Sequence, residues 1–138
     1  MVGKLSLADR GGNPALRFRS GANELWADDY DTLLRIEPGD WRVRNRRLLQ
    51  GGWTTGSRQF IGEYAFNNDE TLCAVARPFS GDVVALNTTN FRITHTCNLG
   101  RQPLLVALLS DGTVWARDWK SGDVLRGALR RKWLAWRG

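Results

Sequence analysis

An all-β fold of short antiparallel strands is predicted by three observations. Short β-prone runs recur along the chain, and turn-forming groups punctuate them. No segment before the last twelve residues reads as a long amphipathic helix. The punctuation falls at Gly11-Gly12-Asn13-Pro14, Glu37-Pro38-Gly39-Asp40, Gly51-Gly52, Asn67-Asn68-Asp69, Ser80-Gly81-Asp82, Ser110-Asp111-Gly112 and Ser121-Gly122-Asp123. Several of these residues tolerate the positive φ that tight hairpins demand. Hydrophobic residues make up 42% and charged residues 25% of the 138 positions, so wholesale disorder is excluded. No apolar run approaches the ~20 residues of a membrane helix. The first ten residues hold no apolar stretch of secretory length. The expectation is a soluble, cytoplasmic protein that is not transmembrane.

Taken in order, the first feature is the acidic group Asp28-Asp29-Tyr30-Asp31. Through Asp29 and Asp31 it offers carboxylates to a cation or a sugar; as structure it is a hairpin turn. Next, Arg42-Val43-Arg44-Asn45-Arg46-Arg47 places Arg42, Arg44 and Arg46 on one face of a strand. Those guanidinium groups suit phosphate or an acidic protein, and as structure they discourage edge-to-edge pairing. Trp53, in Gly51-Gly52-Trp53-Thr54-Thr55-Gly56, is the tryptophan best placed for exposure, whereas Trp26, Trp41 and Trp115 sit in strand patterns that suit a core. Runs of strand character follow at Thr71–Arg77, Asp82–Leu86, Phe91–Leu99, Leu104–Leu109 and Thr113–Asp118. The continuous apolar runs Val83–Leu86 and Leu104–Leu109 read as strands buried on both faces. In the tail, Leu129, Trp133 and Trp136 form one stripe if the segment is a helix, beside the basic Arg130, Arg131 and Lys132. The competing reading has the tail extend a blade's last strand or pack across an open edge.

The net charge of +6 is uneven: residues 117–138 hold seven basic and two acidic side chains. Such a segment attracts acidic partners; nucleic acid or acidic lipid is a weaker reading of it. Cys73 and Cys97 lie 24 positions apart without a CxxC spacing and read as buried free thiols, with a disulfide between neighbouring strands as the alternative. One histidine, His95, leaves no ligand spacing for zinc and no base for most hydrolytic mechanisms. No phosphate loop or nucleophile elbow is present. No enzyme activity, metal or cofactor is expected.

Self-similarity links residues 31–43, 81–93 and 112–125, each an apolar strand, a polar turn and a second strand. Ile36, Leu86 and Arg117 align, at spacings of 50 and 31 residues, against the ~40–45 of a propeller blade. The segment from Ser110 to Leu125 is similar to a blade of WD-repeat or YVTN-type β-propellers. That from Asp82 through Leu99-Gly100-Arg101-Gln102-Pro103 resembles the YVTN pattern. The WD signature departs here, since Trp119 follows Asp118. The resemblance implies an incomplete or oligomer-completed β-propeller of about three antiparallel blades, near 14–57, 58–100 and 101–129, followed by a basic, Trp-rich tail over 130–138. A small antiparallel sandwich is the competing arrangement. Because a ring closes with four or more blades, the expected function is a non-enzymatic binding or scaffold module for protein–protein interaction. Its partner is another protein or further blades, by self-association or in a larger chain. The partner-binding candidates are Arg42, Arg44, Arg46, Arg130, Arg131, Lys132, Trp133 and Trp136. The alternative is a carbohydrate-binding lectin or glycosidase-like propeller using Trp53, Asp29 and Asp31.

Overall fold

The computed structural model describes residues 15–37, 39–40, 42–49 and 59–132. Trp41, Trp53, Trp133 and Trp136 lie outside them. The chain divides into two compact units, Met1–Ile61 and Gly62–Gly138.

The first unit is one antiparallel sheet of β1 (Leu16–Arg19), β2 (Glu24–Asp29), β3 (Thr32–Glu37) and β4 (Arg42–Leu48), in that order. Asn23, with φ 52°, leads into β2, and Tyr30, with φ 64°, closes the β2–β3 hairpin. The acidic group of residues 28–31 is therefore a hairpin corner. Trp26, Leu33, Leu34 and Ile36 are buried, so β3 presents apolar side chains to both faces. Polar groups beside Trp26 are satisfied in a chain. The indole N–H donates to Glu24 Oε1 at 3.0 Å, and Arg19 pairs with the same oxygen at 2.9 Å.

The second unit holds two sheets. One runs β8 (Ile93–Asn98), β7 (Asp82–Asn87), β6 (Leu72–Arg77), β5 (Tyr64–Phe66), with a two-residue strand, β12 (Arg130–Arg131), on the outer edge of β8. The other has three strands, ordered β11 (Val124–Ala128), β10 (Thr113–Asp118), β9 (Pro103–Leu108). Ala74, Val83 and Cys97 of the first pack with Leu108, Val114 and Ala116 of the second, flanked by Leu72, Leu99, Val106, Leu125 and Leu129. Each fully buried Val or Leu there stabilises the unit by roughly 1.5–3 kcal/mol. Gly127 makes this contact close: a Cβ there would collide with Cys97 Sγ. Cys73 and Cys97 are both free and buried.

The described residues form three antiparallel sheets and almost no helix, and the chain is an incomplete propeller of about three blades. Several local expectations need correction. The strand expected over Phe91–Leu99 begins at Ile93, because Phe91 sits in the turn with φ 62°. The run Leu104–Leu109 is not buried on both faces, since Leu105 and Ala107 point out of the core. Trp115, expected in a core, is exposed on the neighbouring strand. Of the two readings of the tail, packing across an open edge holds through Arg131 and the helix does not: Arg130 and Arg131 pair with Thr96 and His95, and Lys132 N–H donates to Thr94 at 2.7 Å. Pairing on β8 satisfies backbone groups of a free edge.

The repeat register also shifts. Its third copy lies one strand earlier in its sheet than the second does: β10 is the second strand of its sheet, equivalent to β6, while β7 corresponds to β11. Gly81 and Gly122 both have φ 76° and donate to the carbonyls of Arg77 and Asp118, each at 3.0 Å. They lie 41 residues apart, within the blade period. Gly112, also at positive φ, closes the preceding hairpin and likewise introduces a strand, so the two turns are alike in sequence.

Candidate protein interface

The corrected register makes the two sheets of the second unit comparable residue by residue. In the larger sheet, Ala74 pairs across to Ala85 and Ala76 to Val83. In the smaller one, the equivalent pairs are Trp115 with Arg126 and Arg117 with Val124. Ala74, Ala76, Val83 and Ala85 are 0% exposed and share the face that carries the packing against the smaller sheet. The equivalent face of the smaller sheet is open: Trp115 is 40%, Val124 65% and Leu105 44% exposed. Strand alternation explains it, because Val114 and Ala116 turn inward and send Trp115 and Arg117 outward.

This face has a defined shape and charge. Leu105, Ala107, Trp115, Arg117 and Val124 line a shallow depression of about 230 Å³. The Arg126 guanidinium carbon lies 5.8 Å from the Trp115 ring centre, within cation–π range. Arg117 donates to the Gly122 carbonyl at 3.1 Å. Among the described residues, neither Arg117 nor Arg126 forms an ion pair with a carboxylate. At its corner the sheet is held by Asp118, whose carboxylate accepts from the Ser121 N–H at 2.8 Å, the Gln102 N–H at 2.8 Å and the Ser121 hydroxyl at 2.8 Å. These donors hold its pKa down to about 2, with Arg101 adding a smaller attraction.

The described residues singled out from the sequence belong to both units. Arg42, Arg44 and Arg46 are exposed on alternate positions of β4. Arg44 is paired to Glu37 at 2.6 Å and Asp40 at 3.3 Å, and Arg42 to Asp40 at 3.6 Å, so two of the three charges are locally offset. Arg130, Arg131 and Lys132 are exposed on and after β12. Opposite Arg131, His95 has its pKa lowered by burial and, secondarily, by that arginine. Asp29 and Asp31 are buried at the hairpin corner; Asp31 Oδ1 accepts from the Thr32 hydroxyl at 2.9 Å, and Asp29 Oδ1 has no hydrogen-bond partner. Among the described residues no three His, Cys, Asp or Glu side chains come together as metal ligands, and no helix is long and apolar enough to cross a membrane. Sequence reasoning missed the face around Trp115. The signal was present in Thr113-Val114-Trp115-Ala116-Arg117, where bulky or charged residues alternate with small apolar ones.

No family model matches the chain, and no curated protein matches it in sequence. Solved structures do resemble it. The β-propeller domain of Cps50 (Swd1) from Myceliophteria thermophila matches with a TM-score of 0.59 at 12% identity, over 85% of this chain and 39% of that one. Hydrazine synthase of Kuenenia stuttgartiensis matches with a TM-score of 0.61 at 10% identity, over 92% of this chain and 38% of that one. A Bacteroides caccae protein of unknown function matches at 0.58 and 19% identity, over 78% of this chain and 39% of that one. The likeness is one of fold, and the chain spans about two fifths of the length of each of these structures.

Proposed function

We propose that this chain is a non-enzymatic binding or scaffold module, made of WD- or YVTN-type blades, that works by protein–protein interaction. The observation that supports this reading is the contrast between equivalent faces: one is buried under a neighbouring sheet, and the other is exposed. Leu105, Trp115 and Val124 together present an apolar patch of the sort that marks an interaction surface. The chain corresponds to about two fifths of the length of the matched propeller domain, and a protein partner is the natural cover for such a face.

The test uses the double variant Leu105→Asp/Val124→Asp. Both side chains are exposed, so the variant is expected to keep its circular dichroism and its melting temperature within a few degrees. The unchanged chain, immobilised, is expected to retain protein partners that the folded variant loses. Identical capture by the two would overturn the reading.

A further inference from the structure

We infer that the open face around Trp115 takes an acidic, apolar protein segment rather than another blade of the kind stacked beneath it. The inference rests on the binding-module reading and specifies its partner. On the face where the larger sheet receives its neighbour, Ala74, Ala76 and Ala85 are wholly buried, and side chains this small let two sheets approach closely. At the equivalent positions the smaller sheet carries Trp115, Arg117 and Arg126. An indole and two guanidinium groups fill the space that a third stacked sheet would need. Burying two cations without counter-charges would also be strongly unfavourable.

The same side chains define what does fit. Leu105, Ala107 and Val124 supply a shallow apolar floor beside the Trp115 ring. Arg117 and Arg126 flank it, and each guanidinium retains donors for a carboxylate, the geometry in which arginine binds acidic groups best. A segment with carboxylates on one side and an aliphatic anchor on the other satisfies both. A second copy of this chain docking through the same face would bring four guanidinium groups together, a like-charge arrangement that disfavours such a pair. The chain's net charge of +6 points the same way.

The experiment titrates the full chain with the blocked octapeptides (Leu-Glu)4 and (Leu-Lys)4 and with the oligonucleotide dT12, following binding by calorimetry at two salt concentrations. The expected result is binding of (Leu-Glu)4 at least tenfold tighter than of either other probe, weakening as salt rises. Arg117→Glu/Arg126→Glu is expected to weaken (Leu-Glu)4 at least tenfold and to gain affinity for (Leu-Lys)4; the gain cannot come from unfolding. Trp115→Ala is expected to weaken the peptide while leaving the charge preference intact. Equal binding of the two peptides, an unchanged affinity in the charge-reversed variant, tighter binding of dT12, or no binding of (Leu-Glu)4 would each overturn the inference. Light scattering separates this from the broader reading. A dimer that Trp115→Asp dissociates, in a chain that ignores (Leu-Glu)4, would leave the binding module standing and refute the acidic partner.

Discussion

The two sheets of the second unit share a turn geometry and a 41-residue offset, yet one face of each has been put to opposite use. Gly81 and Gly122 close equivalent hairpins, with the same φ and the same hydrogen bond. Beyond those turns the backbone is repeated and the side chains are not. Alanines line the face that is covered, and Trp115, Arg117 and Arg126 line the one that is open. The strand scaffold therefore sets where a neighbour would sit, and side-chain volume and charge decide what kind of neighbour is accepted.

The largest effect should come from exchanging the two faces. Ala85→Arg places a guanidinium where the side chain is wholly enclosed. A loss of about 3–5 kcal/mol is expected, as for other uncompensated buried charges. The reciprocal change, Arg126→Ala, should alter stability by no more than about 0.5 kcal/mol, because it alters an exposed position. Urea denaturation measures both. Similar losses in the two variants would abolish the distinction between the faces.

A smaller effect is expected at the contact between the sheets. Gly127→Ala adds a Cβ that Cys97 Sγ and Leu99 Cδ2 already crowd. Overpacking of that kind costs roughly 1–3 kcal/mol. Cys97→Ala should cost stability alone yet relieve part of the Gly127→Ala penalty, so a double-mutant cycle should show favourable coupling. Strict additivity would mean that the sheets separate more easily than their packing indicates.

Asp118 offers a sharper comparison through pH, because the equivalent corner of the larger sheet uses Arg77, paired to Asp82 at 2.7 Å. The Asp118 pKa is lowered to about 2 in the folded chain, against an ordinary 3.8. The folded state therefore favours the carboxylate, and the stabilisation is complete above about pH 4. It is lost as pH falls through about 2. Asp118→Asn should flatten the stability profile across that acid interval, measured by thermal unfolding at a series of pH values. An unaltered slope would remove Asp118 as the acid-sensitive clasp of the corner.

These comparisons also show which parts of the structure could be read before the fold was known. The strand Thr113–Asp118 was legible to the residue, since a β-branched and aromatic run is bounded by Gly112 and the Ser121-Gly122 turn. The corner at residues 28–31 was likewise legible from its turn chemistry. The face of β9 was not: Leu104–Leu109 is apolar throughout, and whether Leu105 and Ala107 are covered depends on what packs against that face. Trp115 was misplaced for the same reason. Local pattern tells which side chains share a face, while burial of that face is a property of the neighbour. The tail was ambiguous in another way. Leu129 through Lys132 fits either a basic helix or a strand, and the unpaired edge of β8, far off in sequence, decides for the strand.

That edge supplies the smallest and most local prediction. His95 faces Arg131 across the β8–β12 pair, and its pKa is lowered first by burial and then by that arginine. The folded state thus favours neutral imidazole. Stability from this pairing is complete above the ordinary value of 6.5 and declines as pH falls through the lower folded pKa. The Lys132 amide, which donates to Thr94 at 2.7 Å, should lose hydrogen-exchange protection on acidification toward pH 5, after correction for intrinsic rates. Arg131→Gln should raise the His95 pKa only part of the way, because burial is the larger cause. His95→Gln should remove the pH dependence of Lys132 protection while leaving amides in β10 and β11 unchanged. If protection at Lys132 fell equally in the His95→Gln variant, the acid response would belong to the whole unit and not to its edge strand.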